Sequence, residues 1–181
     1  MKPTLIYYVA ASLDGYIARP DGSVDWLEAV ENTDEDHGYQ AFYDSVDGLL
    51  MGRATYESVL GFGGDWPYPG KPCTVLTRAK LPRKAPEVRI SHASPSDALA
   101  ALARKGCKRV WLVGGGSLAG SCYAAGLLDE LVVNVIPHLL GAGIPMFATG
   151  LERRLQLREQ RSFSTGVVQL HYQLLPEAEV P

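Results

Sequence analysis

VWLVGGGSLAGS, Val110 to Ser121, decides the fold: an unbroken apolar run passes through Gly114, Gly115 and Gly116 into small, helix-forming residues that begin near Ser117. A solid apolar run, a glycine turn and a helix in direct succession read as a buried strand delivering the chain into a crevice. Glycine there admits dihedrals that other residues avoid, and it lets another backbone or a phosphate come close. The spacing after Gly116 departs from the GxGxxG dinucleotide fingerprint, so the turn alone reads equally as a packing device. The same pattern recurs upstream in MGRATYE, Met51 to Glu57, where an apolar strand ends at Gly52 and a helix starts near Ala54. Such a junction aims unpaired N–H groups and the positive end of a helix dipole beyond the strand, a natural pyrophosphate seat, with Arg53 adding a permanent charge. The plainer reading is a strand-to-helix turn with a solvated arginine. Two such junctions in one chain favour a dinucleotide, which has a pyrophosphate and two riboses to hold.

Outward from these junctions, the other candidate strands are Leu5 to Ala11, Gly48 to Met51, Thr74 to Leu76, Val88 to Ile90, Glu130 to Ile136, and a late pair near Arg158 to Ser164 and Val167 to Leu174. Between them the apolar period becomes helical: Asp34 to Val46, with Tyr39, Phe42, Tyr43 and Val46 on one face; a short stretch from Ala54; Pro95 to Lys105; and Ser117 to Ala125. Strands alternating with helices make an α/β protein. Only Thr165-Gly166 separates the last two strands, a hairpin-length link, so the sheet is expected to be mixed and to end antiparallel. The 181 residues show no linker or repeat, and the Pro/Gly-rich Gly61 to Pro72 reads as a loop, so one domain over 1–181 is expected.

The composition, 46% hydrophobic and 20% charged, argues against disordered, collagen-like and coiled-coil classes. Seventeen basic residues against twenty acidic ones give a net charge of −3 without a basic block, so nucleic acid is not an expected partner and a small molecule is. Apolar runs such as Leu131 to Ile136 fall far short of the roughly 18 to 20 residues that cross a bilayer. The opening LIYYVAA reads as the first strand of a cytoplasmic chain, since no small-residue cleavage site follows it. Cys73, Cys107 and Cys122, odd in number and far apart, read as buried thiols. His37, His92, His138 and His171 have no metal-ligand spacing, so no metal is expected. At the end of another strand, Thr77 and Arg78 pair a hydroxyl with a guanidinium whose fork suits a ribose 2′-phosphate.

AASLDGYIA (Ala10 to Ala18), MGRATYES, PYPGKPCTVLTR, VGGGSL, and AGLLDELVVNVIPHLLGAGIPMF ending at Phe147 stand in one order along most of the chain. That ordered set resembles the dihydrofolate reductase superfamily, in particular the branch similar to the reductase domain of bifunctional riboflavin-biosynthesis deaminase-reductases. The resemblance implies a three-layer sandwich around a mixed, mostly parallel sheet of about eight strands, with NADPH across the strand ends. Carried onto this chain, Ala11 and Ile17 meet the nicotinamide half; Gly52, Arg53, Ala54 and Thr55, with Gly115, Gly116, Ser117 and Leu118, hold the pyrophosphate, and Val113 and Gly114 belong to the same cofactor site. Arg53, Thr77 and Arg78 hold the adenosine phosphate. Either Gly114-Gly115 or Gly115-Gly116 is expected to be cis. The resemblance also implies a homodimer, and the apolar late strands, Val167 to Leu175 among them, give that dimer an edge to cover.

The sequence also departs from the family. There is no HxE with PCxxC of a zinc deaminase. A DDPxLTxR-like segment, usual in the riboflavin-pathway reductases, is replaced by ESVLGFGGDWPYPG, whose Trp66 is a candidate for shaping a different pocket. Lys71 stands where dihydrofolate reductases place the arginine that clamps the folate tail. The candidate proton donors are Asp36, 16 residues before Gly52 and in helical phase with Tyr39 and Tyr43, and Asp14 in the SLDG turn. For Asp36 the competing reading is a helix cap with Thr33, and for Asp14 a turn aspartate. The expected function is an NADPH-dependent reductase of a small pyrimidine- or pterin-like heterocycle. The alternatives are the reductase step on 5-amino-6-(5-phosphoribosylamino)uracil and an NADPH-binding module without turnover.

Overall fold

A computed structural model describes residues 1–31, 34–147 and 152–175. Along the chain run β1 (Thr4–Ser12), β2 (Tyr16–Ala18), a 3₁₀ turn (Asp25–Leu27), α1 (Glu28–Glu31), α2 (Tyr39–Ser45), β3 (Gly48–Gly52), α3 (Arg53–Gly61), β4 (Cys73–Leu76) and β5 (Val88–Ser91). They are followed by α4 (Pro95–Arg104), β6 (Arg109–Gly114), α5 (Gly116–Ala124), β7 (Glu130–Ile136), β8 (Ile144–Pro145), β9 (Leu155–Ser162) and β10 (Val168–Leu174). Eight strands form one sheet in the order β5-β4-β3-β6-β1-β7-β10-β9. All neighbours are parallel up to β7, after which β10 and β9 add antiparallel. The mixed α/β sheet with an antiparallel end is therefore the fold, built on the expected strands to within a few residues.

Both faces of the central strands are buried, which is why they read as solid apolar runs. On one face Ile6, Tyr8, Met51 and Trp111 pack against Phe42 of α2 and Tyr56 and Val59 of α3. On the other, Leu5, Tyr7, Leu50 and Leu112 pack against Leu99 and Leu102 of α4 and Ala119 and Cys122 of α5. A second, two-stranded sheet of β2 and β8, absent from the sequence reading, ties the loop after β1 to the loop after β7. Its strands are three and two residues long, too short for a period-2 pattern to register.

Two further differences have local causes. The helix expected from Asp34 begins at Tyr39, because His37 and Gly38 both adopt positive φ (50° and 75°), which no helix accommodates. The final hairpin turns over residues 163–167, with Phe163 N–H donating to the Val167 carbonyl and Gly166 at φ 85°, so the turn is wider than two residues.

Candidate active site

The C-terminal ends of β3, β6 and β1 lie side by side, and beyond them opens a cleft of about 740 Å³. In open α/β sheets this is where ligands bind. The two glycine junctions meet there. A methyl group on Gly52 would lie 3.6 Å from the Gly114 carbonyl and 3.8 Å from the Gly115 nitrogen, and one on Gly115 would lie 3.5 Å from Thr55 Oγ1. Neither α3, starting after Gly52, nor α5, starting after Gly115, has a side-chain cap. The contrast with α4 is instructive: Ser94 caps it by accepting from the Asp97 N–H at 3.1 Å, with Pro95 in its first turn. Two uncapped helix ends aimed at one cleft leave backbone donors and two positive dipole ends for a bound anion.

Of the residues expected to hold the cofactor, Ile17, Gly52, Arg53, Ala54, Thr55, Val113, Gly115, Gly116, Ser117 and Leu118 all line this cleft. Four do not. Ala11 is buried in the core, and Val9 and Ala10, just before it on β1, line the cleft instead. Gly114 is buried behind its cis peptide to Gly115, the first of the two positions expected. Thr77 and the exposed Arg78 follow β4, and its last residue, Leu76, is the one that reaches the lining. Gly116 has a packing duty of its own, since a Cβ there would fall 2.3 Å from the Pro145 carbonyl oxygen. Arg53 is exposed and paired with Glu57 at 2.9 Å.

A smaller cavity of about 380 Å³ adjoins the cleft, and the two share Tyr8, Ala10 and Leu27 as lining. Its other walls include Tyr39, Asn134, Ile136 and Val167, with Glu35, Asp36 and His37 along one side. Asn134 is 6% exposed and Tyr8 7%. Gln169 Nε2 donates to Asn134 Oδ1 at 2.9 Å and to the His37 carbonyl at 3.1 Å, and Asn134 Nδ2 donates to the Tyr8 hydroxyl at 2.9 Å. These residues were absent from the sequence reading. The available signal was Asn134 itself, a lone amide inside the apolar run LVVNVI.

The surroundings of the two expected proton donors fit their competing readings, a cap and a turn aspartate. Asp36 sits outside the helix, exposed, and its carboxylate accepts the N–H groups of Gly38 at 2.8 Å and Gln40 at 3.2 Å. Those bonds hold its pKa below the ordinary value, so it carries no proton at neutral pH. It caps α2 directly; its imagined partner, Thr33, lies outside the described residues. Asp14 is exposed and lines neither cavity. It accepts from Ser12 Oγ at 2.6 Å and from the Leu140 and Gly141 N–H groups, and the Ser12 bond above all pulls its pKa down to about 2. It fastens the turn after β1 to the loop after β7. Trp66 is a core residue whose Nε1 donates to the Tyr68 carbonyl, and its loop lends Phe62 and Tyr68 to the cleft instead. Lys71 donates to the Tyr43 and Val46 carbonyls at the end of α2 and lies 4.1 Å from the Tyr43 ring, so it is committed to the fold.

Cys73, Cys107 and Cys122 are buried, and desolvation pushes the first and last up to about 12. Among the described residues no group of His, Cys, Asp or Glu is arranged to hold a metal, and no helix is long and apolar enough to cross a membrane.

The sheet order, the paired uncapped helix ends and the cleft across the strand ends define a dihydrofolate reductase-like α/β protein. Comparison with known proteins narrows the class. Residues 66–169 match the RibD C-terminal domain, and the chain belongs to that family. It is 36% identical over 95% of its length, and 98% of the relative's, to YwjB of Bacillus subtilis strain 168, described as uncharacterised. A putative riboflavin biosynthesis protein from Shewanella sp. PV-4 superposes with a TM-score of 0.83 at 35% identity, covering 97% of this chain and all of that one. RibD of Acinetobacter baumannii, at 18% identity and a TM-score of 0.75, shares the fold; this chain spans 96% of its own length and 58% of that protein's.

Proposed function

We propose that this chain, as a single reductase domain, uses NADPH to reduce a C=N or C=O bond of a small heterocycle. The observation that carries the reading is the meeting of two uncapped helix N-termini on one cleft that opens into a second, smaller cavity. A pyrophosphate suits the two helix ends, with Thr55 and Ser117 offering hydroxyls and Arg53 a charge. The nicotinamide half then extends toward Val9, Ala10 and Ile17, at the mouth of the smaller cavity. Bound there, NADPH supplies hydride; the chain's own residues position it, keep water from the reacting atoms and deliver a proton. Arg78, exposed at the end of β4 next to β3, is the second cation within the family pattern for an adenosine 2′-phosphate.

The acceptor belongs in the smaller cavity. Its described lining holds the carboxyl groups of Glu35 and Asp36 but no lysine or arginine, so it suits an acceptor whose reacting end is uncharged and carries no phosphate. A Thermotoga maritima protein of like fold is a diaminohydroxyphosphoribosylaminopyrimidine deaminase/5-amino-6-(5-phosphoribosylamino)uracil reductase, and the aminouracil compound is the natural first substrate to try. The test is NADPH oxidation, followed by absorbance, with this aminouracil and with its dephosphorylated form. Oxidation with at least one of them, with NADPH preferred over NADH, is expected. Tight NADPH binding without oxidation by either would leave a binding module in place of an enzyme.

A cytoplasmic homodimer completes the reading. β9 is exposed along its whole length at the sheet edge, with its Leu155 and Leu157 (47% exposed) and Val168 of the adjoining β10 uncovered, and a second copy is the occupant that the family pattern favours. Light scattering at micromolar concentration should return the mass of two chains, and a one-chain mass unchanged on concentration would remove the dimer.

A further inference from the structure

In the smaller cavity a phenol, two amides and a backbone carbonyl form one chain of hydrogen bonds, and its polarity can be worked out from one end. The His37 carbonyl can only accept, so the Gln169 group facing it at 3.1 Å is the amide nitrogen. The same nitrogen spends its second hydrogen on Asn134, 2.9 Å away, so the atom it meets there is the Asn134 oxygen. The Asn134 nitrogen must then face Tyr8, and it donates to the phenol oxygen at 2.9 Å. With an oxygen lone pair already engaged by Asn134, the Tyr8 hydrogen points elsewhere. No acceptor for it is found among the described residues, although Tyr8 is only 7% exposed and lines both cavities. The ring is held still, stacked on Phe42 at 4.0 Å, while the Tyr8 carbonyl accepts from Trp111 Nε1 at 3.0 Å. A buried donor that is rigid, aimed and without an acceptor costs free energy until a ligand supplies one.

We infer that the Tyr8 hydroxyl is the group that grips the heteroatom of the acceptor and gives it a proton, with Asn134 and Gln169 as positioning residues that fix the direction of the O–H. This deepens the reductase reading and rests on it for the proton transfer, though not for the grip. The substrate class follows: the atom turned to the cavity floor is a carbonyl oxygen or imine nitrogen with a free lone pair, not an N–H. In the balanced step, the carbon of the C=N or C=O bond receives a hydride equivalent from the reduced nicotinamide. The π pair of that bond becomes the new N–H or O–H bond as the Tyr8 O–H breaks, the nicotinamide leaves oxidised, and the phenolate recovers a proton from water. Desolvation raises the Tyr8 pKa, so the phenol keeps its proton until charge develops on the acceptor atom. The Asn134 N–H then stabilises the transient phenolate. Asp36, ionised and outside its helix, is relieved of the donor's role.

The grip is tested without cofactor, using 5,6-diaminouracil as probe on protein carrying ¹³Cζ-tyrosine, the Tyr8 resonance being the one lost in Tyr8→Phe. Addition of the probe should move that resonance, and Tyr8→Phe, which keeps the stack on Phe42, should weaken binding about tenfold. Asn134→Asp is the sharper variant: its carboxylate takes the Tyr8 hydrogen for itself, so Tyr8 remains in place yet loses the acceptor. Probe binding should weaken in Asn134→Asp as much as in Tyr8→Phe, with thermal denaturation confirming that both variants are folded. The proton transfer is tested with NADPH and whichever aminouracil the unmutated enzyme reduces. Tyr8→Phe should lower kcat about 100-fold while the Kd for NADPH changes less than about twofold. A stationary Tyr8 resonance with unchanged probe affinity in both variants would overturn the grip. Unchanged kcat in Tyr8→Phe would overturn the proton transfer and leave the reductase reading standing. A shifted resonance in a protein that oxidises NADPH with neither aminouracil would uphold the grip and overturn the reductase reading and the proton transfer together.

Discussion

The large cleft and the small cavity beside it are built by different means. Backbone makes the first: Gly52 and Gly115 bring two helix ends within van der Waals reach of each other, and its donors are main-chain N–H groups. Side chains make the second: Tyr8 on β1 meets Asn134 on β7, which meets Gln169 on β10, three strands that are neighbours in the sheet but separated by up to 126 residues between bonded partners. A backbone site is written into a few consecutive residues and accommodates a cofactor shared by many proteins. A side-chain site is free to vary without disturbing the fold, which is what a substrate pocket requires.

The contrast breaks first at its most crowded point. Gly116→Ala drives a methyl group into the Pro145 carbonyl, 2.3 Å away, and should cost about 3 kcal/mol of stability by urea denaturation. Gly115→Ala meets only Thr55 Oγ1, at 3.5 Å, so it should keep that stability and instead weaken NADPH binding by filling the cleft. A stable Gly116→Ala would show that the loop carrying Pro145 yields. Next in size, Arg53→Ala and Arg78→Ala should weaken NADPH more than NADH by roughly 1.5 to 3 kcal/mol if each loses a charged hydrogen bond to the 2′-phosphate. Calorimetric titration of both cofactors will show whether the outlying Arg78 takes part at all.

Smaller effects sharpen the assignment of the two aspartates. The Asp14 pKa is depressed from its ordinary 3.8 to about 2, so its bonds add stability that is fully present above pH 4 and is lost as pH falls toward 2. The melting temperature of the unmutated protein should therefore drop more steeply between pH 4 and 2 than that of Asp14→Asn, and parallel curves would deny Asp14 its fastening role. Asp36→Asn, which retains a capping oxygen, should leave turnover at neutral pH within about twofold. A large loss of activity in that variant would return the proton to Asp36 and weaken the case for Tyr8.

The succession of strands along the chain, the antiparallel ending and most of the lining of the large cleft were legible because each rests on a local pattern: solid apolar runs, glycine at strand ends, a hairpin-length link. Asp36 misleads for a local reason as well. Helical spacing to Tyr39 and Tyr43 carries no sign that His37 and Gly38 adopt positive φ and start the helix late. Ala11 fails on burial: it is packed into the core beneath the cleft, and Val9 and Ala10, just before it on β1, reach the lining instead. The Tyr8, Asn134 and Gln169 chain was beyond reach, because it exists only once β7 lies between β1 and β10. Asn134 alone, polar in the middle of an apolar strand, marked the place.

The central claim is that the two cavities form a donor and acceptor pair meeting at Tyr8 and Ala10. A crystal soaked with NADPH tests it most directly. The pyrophosphate should lie against the N-terminal turns of α3 and α5 and the nicotinamide face against Val9, Ala10 and Ile17, with the small cavity left open beside it. A dinucleotide filling the small cavity itself, or bound away from Gly52 and Gly115, would contradict the claim.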